Sequence, residues 1–113
     1  MSEEQVARIF EMISAAGTAK AKYLEAVAAA KKKDYESAGS LMTEGGKCFQ
    51  EAHHVHAEML AEESEALTNA GTSSVNLILV HAEDQMMNAE TFRIVAEELI
   101  EVHKQLQQQK GEV

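Results

Sequence analysis

LILVHAEDQMMNAETFRIVAEELIEVHKQLQQQ, residues 77–109, repeats apolar and small side chains at an alternating four-three spacing. A seam of this kind is typical of a long helix that packs against other helices along its whole length. The sequence therefore predicts a helix that is capped by Ser73 or Ser74 and runs to about Gln109. The seam consists of Ile78, Ala82, Gln85, Ala89, Phe92, Ala96, Leu99, His103 and Leu106.

Two more helices are predicted before this segment. Apolar residues recur at three- and four-residue spacing over residues 2–30 and again over about 35–64. Ser2 and Asp34 stand at the starts of these stretches and are of the residue types that cap helix N-termini. Residues 65–72 contain turn-forming side chains and are predicted to be the only loop of any length.

Short connections between long helices make neighbouring helices antiparallel. The sequence therefore predicts an all-α fold, an elongated antiparallel three-helix bundle that forms a single domain over residues 1–113. Gly45 and Gly46 lie inside the second predicted helix, where glycine costs about 1 kcal/mol against alanine. Small residues at this point indicate a close approach between two helices.

The composition agrees with a helical core and excludes several functions. The chain has no proline, one cysteine, 45% hydrophobic residues and a formal net charge of −9. An acidic chain is a poor ligand for nucleic acid or an anionic membrane surface. No apolar stretch approaches the roughly 18–20 residues of a membrane span, and the acidic N-terminus does not resemble a signal peptide. We therefore expect a cytoplasmic protein that is not inserted in a membrane. The sequence has no Gly-rich phosphate loop, and no organic cofactor is expected.

The third predicted helix has more apolar surface than one three-helix core needs. A second line of residues mixes apolar and polar side chains, and four further apolar residues lie outside the seam. This surplus indicates that the chain forms an oligomer through its third helix. The second line is Leu77, His81, Asp84, Asn88, Thr91, Val95, Glu98 and Val102, and the four others are Met86, Met87, Ile94 and Ile100.

Four of the five histidines are expected at one level of the bundle. A hairpin centred near Thr68 places residues at equal distances from that centre side by side. His53, His54 and His56 should therefore lie within about one turn of the level of His81. The spacing of His53 and His56 puts both on one helix face, whereas His54 points elsewhere.

The simplest interpretation of this level is structural, with His53 and His56 as hydrogen-bonded core or boundary residues. The alternative is a zinc or iron site formed by His53, His56 and His81. Metal-carboxylate bundles use glutamates together with Glu-x-x-His pairs, and that spacing occurs once, at Glu51 and His54.

The sequence resembles the lactose/cellobiose-type IIA components of the phosphoenolpyruvate-dependent sugar phosphotransferase system. The family has a histidine after a short apolar run, followed by Ala or Gly, Gln, Asp, His, Leu, Met and Thr, and residues 77–88 follow that pattern around His81. Ordered matches extend over nearly the whole chain. They are residues 13–20 with the family's I-x-x-A/S-G-x-A-R, 26–35 with A-x-x-A-x-x-G-D-F, 51–53 with E-A-H, and 99–103 with L-I-E-L-H/Y.

The resemblance implies a homotrimer in which three-helix protomers form a nine-helix bundle. It also implies a phosphotransferase component, whose histidine accepts a phosphoryl group from the phosphocarrier protein HPr. The histidine then passes the group to a cysteine of the IIB component, which acts with the membrane component IIC in sugar import.

Residue by residue, the resemblance implies that His81 is the phosphorylated histidine. Asp84 matches an aspartate near the threefold axis, where a divalent cation such as Mg²⁺ can bind between subunits. His53, His56 and Gln85 are expected to line the phosphoryl pocket, and His56 is expected to donate a hydrogen bond to the phosphoryl group.

The chain departs from the family pattern at three of these positions. Glu83 and His56 replace glutamines, and Gln85 replaces a histidine. Glu83 lies about 200° around the helix from His81, so we expect it to point away from the phosphoryl group. The departures leave two alternatives open: a regulatory or structural bundle that has lost transfer, and a metal-binding helical bundle.

Overall fold

The computed structural model describes residues 1–72 and 75–111 of the chain. Three helices follow one another: α1 (Glu3–Lys31), α2 (Tyr35–Ala70) and α3 (Leu77–Gly111). They form a bundle with dimensions of 67 × 22 × 19 Å. The predicted all-α, elongated three-helix architecture is confirmed, and the described residues contain no strand.

The predicted caps of the first two helices are present. The Ser2 hydroxyl accepts a hydrogen bond from the Gln5 backbone N–H at 3.1 Å, and the Gln5 side chain accepts one from the Ser2 N–H at 2.9 Å. This reciprocal pair is a capping box. Asp34 accepts a hydrogen bond from the Ser37 N–H at 3.1 Å. Hydrogen bonding by the Ser37 side chain, and then by its backbone N–H, lowers the pKa of the Asp34 carboxyl.

The predicted end of α2 is wrong, because α2 continues six residues past Ser64 to Ala70. Thr68 donates its hydroxyl proton to the Ser64 carbonyl and fits within the helix. Gly71 ends α2 with φ +65°, a left-handed conformation that favours glycine. The predicted caps of α3, Ser73 and Ser74, lie outside the described residues.

Asn76 has the contacts expected of a cap for α3. Its side-chain oxygen accepts a hydrogen bond from the Leu79 N–H at 3.0 Å, and its carbonyl accepts one from the Val80 N–H at 3.1 Å. Asparagine is among the preferred N-cap residues because its short side chain reaches the free N–H groups of the first turn.

The core consists of two clusters along the bundle, and α1 contributes to both. Met86 and Ile100 were expected to be surplus surface, but they are 2% and 8% exposed and belong to these clusters. Their burial shows that the inward face of α3 is wider than the heptad seam. Cluster one consists of Ile9, Met12, Ala15, Ala16, Ala52, Val55, Ala82, Met86 and Ala89, and cluster two of Ala19, Tyr23, Ala26, Val27, Ala30, Ala38, Ala96 and Ile100.

Gly45 is the point of close helix approach that the sequence predicts. A Cβ atom at Gly45 would lie 2.5 Å from Tyr23 Cε1 and 3.2 Å from the Ala19 carbonyl oxygen. Tyr23 is fully buried and cannot move freely. At Gly46 such a Cβ would have no atom within 4 Å apart from its chain neighbours and the backbone of its own helix.

Gly45→Ala is expected to lower the free energy of unfolding by about 1–3 kcal/mol, because the methyl group overpacks the contact with Tyr23. Gly46→Ala is the matched control and should raise it by about 0.5–1 kcal/mol, through helix propensity alone. Urea denaturation of the two variants measures both changes. Equal effects at the two positions would contradict the close approach at Gly45.

Candidate functional site

His81 lies in the second turn of α3 and its imidazole is exposed to solvent. The adjacent residue, Ala82, is fully buried, and Met86 one turn later is 2% exposed. Both pack in the first core cluster against residues of α1 and α2. The backbone of this turn is therefore held firmly by its inner side, while the imidazole remains accessible to a partner protein.

Glu83, two residues after His81, connects α3 to α2. Its Oε1 lies 2.9 Å from His56 Nε2, and the two side chains are 43% and 15% exposed. This contact confirms that His56 lies at the level of the His81 turn, as the hairpin geometry predicts. It also agrees with the expectation that Glu83 points away from His81.

α1 packs on the other flank of α3, the flank that carries His81. Phe92 follows His81 by eleven residues, so it lies only about 20° from it around the helix. Lys20 of α1 places its Nζ 6.0 Å from the centroid of the Phe92 ring. His81 therefore projects on the α1 side of α3, whereas Glu83 projects on the α2 side.

His53 shares a face of α2 with His56, one turn away. Its exposed ring stacks on Phe49, with centroids 6.3 Å apart and planes inclined at 25°. His53 and His56 thus lie on the flank of α3 opposite His81. Within one protomer the structure brings these histidines to one level of the bundle but not to one side of it.

The alternative of a metal-binding bundle is not supported. Over residues 1–72 and 75–111, no three His, Cys, Asp or Glu side chains lie close enough together to hold a metal ion. The separation of His81 from His53 and His56 on opposite flanks of α3 is the physical reason. Cys48 is half-buried on α2 and contributes to no such group.

Asp84 and Gln85 follow His81 on α3 and differ in exposure. Asp84 is exposed, and Gln85 is half-buried next to the core. Asp84 lies on an apolar surface that runs the length of α3, which we call the α3 stripe. The large apolar side chains of the stripe are 39–85% exposed: Leu77, Val80, Met87, Ile94, Val95, Leu99, Val102 and Leu106.

The half of the bundle around His81 is strongly acidic. Residues 1–17, 53–72 and 75–88 contain nine Asp and Glu residues and one Lys or Arg, namely Arg8. Arg8 donates hydrogen bonds to both carboxylate oxygens of Glu62, at 2.8 and 2.7 Å. The hydrogen bond to Arg8 lowers the pKa of the Glu62 carboxyl. The charge of Arg8 is thus neutralised, and a partner that docks here meets an acidic surface.

The sequence did not predict the pair of Arg8 and Glu62 or the cavity beside it. The cavity has a volume of about 350 Å³ and lies between the three helices, with Met59, Leu79 and Glu83 in its wall. The two members of the ion pair are 54 positions apart in the chain. Sequence patterns relate residues that are only a few positions apart. The contact can therefore be recognised only when the register of α1 against α2 is known.

The fold places the chain among the helical IIA components of the phosphotransferase system. It aligns with the crystal structure of the cellobiose-specific enzyme IIA from Bacillus anthracis with a TM-score of 0.82 and 27% identity, over 95% of this chain and 94% of that one. It also aligns with a solution structure of the IIA(Chitobiose)–HPr complex of the N,N′-diacetylchitobiose branch of the Escherichia coli phosphotransferase system. The TM-score there is 0.73 at 28% identity, over 94% of this chain and 99% of the matched chain.

The sequence gives the family directly. Residues 7–104 match the family model described as PTS system, Lactose/Cellobiose specific IIA subunit. The lichenan-specific phosphotransferase enzyme IIA component of Bacillus subtilis is 32% identical over 111 residues, which is 98% of this chain and 97% of that protein. The chain belongs to the lactose/cellobiose-specific IIA family, whose members are sugar-specific phosphotransferase components. None of the three helices, over the part of the chain described, has the length and apolarity needed to cross a membrane.

Proposed function

We propose that the chain is a phosphoryl carrier in sugar import that accepts a phosphoryl group from HPr on His81. The observation that carries the proposal is the exposed imidazole of His81 on a turn whose inner residues are buried in the core. A carrier needs this combination, because its acceptor must meet two different proteins in a fixed orientation. Similarity to a IIA chain solved together with HPr supports HPr as the donor.

In this proposal a neutral ring nitrogen of His81 attacks phosphorus in line with the bond to the donor. The nitrogen–phosphorus bond forms as the donor's bond breaks, and the negative charge moves with the phosphoryl group. A cysteine thiolate of the IIB component later attacks the same phosphorus and releases the imidazole. IIB then acts with the membrane component IIC.

The acidic surroundings of His81 suit a transient carrier. A phosphoryl group on His81 adds negative charge to an acidic half of the bundle. Arg8 is the one Lys or Arg side chain among residues 1–17, 53–72 and 75–88, and it is already paired with Glu62. Such a phosphoryl group is not held by a strong ion pair and remains easy to transfer. The same surface attracts a basic face on a donor and increases the rate of encounter.

We place the α3 stripe at the centre of a homotrimer. Its apolar side chains lack partners within the described protomer and would be buried against two copies of themselves. In a threefold arrangement opposite flanks of neighbouring α3 helices face each other. The flank that carries His81 then meets the flank on which His53 of the partner subunit lies. Gln85 completes the phosphoryl pocket from the same chain as His81.

Asp84 is proposed to face the threefold axis, where three carboxylates can hold a divalent cation. Its exposed position on the stripe and its oxygen donors fit Mg²⁺, which prefers hard ligands and keeps several waters. The cation would offset two of the three negative charges and so hold the subunits together. None of the transfer steps above requires it.

Mg²⁺ is therefore expected to stabilise the trimer, by about 3 kcal/mol at a hundred times its dissociation constant. Asp84→Asn should remove this stabilisation and should raise the midpoint of thermal unfolding in EDTA, because three like charges are lost. Glu101→Gln, an exposed acidic position on α3 that is not part of the α3 stripe, is the control and should keep the response. Thermal unfolding with Mg²⁺ and with EDTA measures these effects. A Mg²⁺ response that survives Asp84→Asn would exclude Asp84 as the ligand.

The function is tested by incubating the protein with phosphoenolpyruvate, Enzyme I and HPr and measuring its intact mass. A single acid-labile phosphoryl adduct is the expected result. Absence of an adduct, under conditions that phosphorylate a HPr shown to serve other IIA components, would reject the proposal. An intact oligomer without an adduct would favour a regulatory or structural bundle of the same fold.

A further inference from the structure

Two of the positions at which this chain departs from the family pattern contact each other in the structure. His56 and Glu83 each stand where the family pattern has glutamine, and their side chains meet at 2.9 Å across α2 and α3. We infer that they form a positioning pair, in which His56 holds Glu83 and thereby fixes the orientation of the α3 turn that carries His81. The inference rests on the proposed function of His81 and gives His56 no direct contact with the phosphoryl group.

The first argument is that the His56 ring is already engaged in a hydrogen bond with Glu83. Its side chain is 15% exposed, and its Nε2 is engaged by the Glu83 carboxylate. A ring held on the α2 flank of α3 cannot also reach a phosphoryl group on the opposite flank of the same helix. His56 can therefore influence His81 of its own chain only through α3 itself.

The small inner residues of this turn are the second argument. Ala82 separates His81 from Glu83, and Ala52 packs opposite in the same core cluster. The methyl group of Ala82 holds α3 against the core but limits rotation of the helix about its axis less than a larger side chain would, and Met86 adds its restraint only one turn later. The hydrogen bond that the Glu83 carboxylate accepts from His56 of α2 does resist rotation of α3, because rotation lengthens the bond. Since Glu83 and His81 belong to the same turn, the bond fixes the direction of both.

A second His–Glu pair in the chain provides a matched control. His54 Nε2 lies 3.0 Å from Glu58 Oε1, which is nearly the distance in the positioning pair. This pair lies within α2, one turn apart, and its side chains are 77% and 51% exposed. Water and salt screen such a pair, and it joins no two helices. Its removal should leave the orientation of α3 unchanged.

The test uses His56→Ala, Glu83→Ala, the swapped pair H56E/E83H, and the control H54A/E58A. Initial rates of phosphoryl transfer from phosphorylated HPr are measured over a range of donor concentrations, on variants shown to be folded by circular dichroism. Each single variant is expected to lose roughly tenfold in the rate at saturating donor, with an unchanged KM. The swapped pair should recover to within about threefold of the wild type, because it restores the hydrogen bond. The control should match the wild type.

Single variants that transfer at the wild-type rate would overturn the inference, as would a swapped pair as slow as the single variants. If an alanine variant does not fold, the swapped pair alone tests the inference. A transfer rate within about threefold of the wild type supports it, and a rate reduced roughly tenfold rejects it. If the wild type accepts no phosphoryl group, the proposed function fails separately. The ring signals of His81 in the NMR spectrum then decide: a shift in each single variant that reverses in the swapped pair supports positioning, and unchanged signals reject it.

Discussion

Replacement of His81 by alanine is expected to reduce phosphoryl transfer below the limit of detection. The proposed nitrogen–phosphorus bond forms on the imidazole of His81, and alanine has no nucleophile in its side chain, so this acceptor is lost entirely. The unfolding free energy should change by less than about 0.5 kcal/mol, because the imidazole is exposed and its turn is held by Ala82 and Met86. Intact mass after incubation with the donor proteins, together with urea denaturation, measures both effects.

His54→Ala is the matched control for this experiment. His54 is also an exposed histidine in the acidic half of the bundle, with a side chain that is 77% exposed. The control should still acquire one phosphoryl group at the wild-type rate. An adduct on the His81→Ala variant would contradict the assignment and move the acceptor to another histidine, of which His53 lies nearest the proposed pocket.

The helical fold could be predicted because each of its signals is local. Ser2 and Asp34 cap their helices through contacts within four residues. The periodicity of α3 identifies its inward face over residues 78–96, whereas Leu99 and Leu106 of the seam are 39% and 49% exposed. The end of α2 could not be predicted from such signals. Residues 65–70 include turn-forming side chains, but the helix hydrogen bonds continue through them until Gly71 allows a left-handed turn.

The wider inward face of α3 has a different cause. A strict heptad seam describes contact between two helices, whereas α3 packs against α1 and α2 together. A helix that contacts two neighbours buries a face of 100° or more. Met86 and Ile100 fall within this wider face and become core residues, while Met87 and Ile94 remain exposed. The buried and the exposed residues can be told apart only when the positions of α1 and α2 around α3 are known.

The candidate site was predictable in part for the same reason. Hairpin geometry gives the level of a residue along the bundle, and it placed His56 correctly beside the His81 turn. It does not give the direction in which a side chain projects around its helix, because that depends on how three helices pack. His53 and His56 were therefore grouped with His81, although α2 and α1 lie on opposite flanks of α3.

Val102→Glu in the α3 stripe is expected to dissociate the proposed trimer. Val102 is 47% exposed in the protomer and follows Glu98 by about one turn on the same line. In a trimer built on the stripe, the three added carboxylates would be buried against one another. An uncompensated buried charge costs roughly 3–5 kcal/mol, and the trimer would contain three of them. Light scattering should therefore show the mass fall from three times the 12.4 kDa chain to the mass of one chain.

Leu67→Glu is the control for dissociation, because Leu67 is 54% exposed on α2 and lies outside the stripe. It adds the same charge to the surface and should leave the trimer intact. A wild-type protein with the mass of one chain would refute the trimer. A Val102→Glu variant that stays trimeric would instead place the interface on another surface, and His53 of the partner subunit would then no longer face His81. Because the proposed pocket needs two chains, dissociation by Val102→Glu should also slow phosphoryl transfer, even though His81 itself is unchanged.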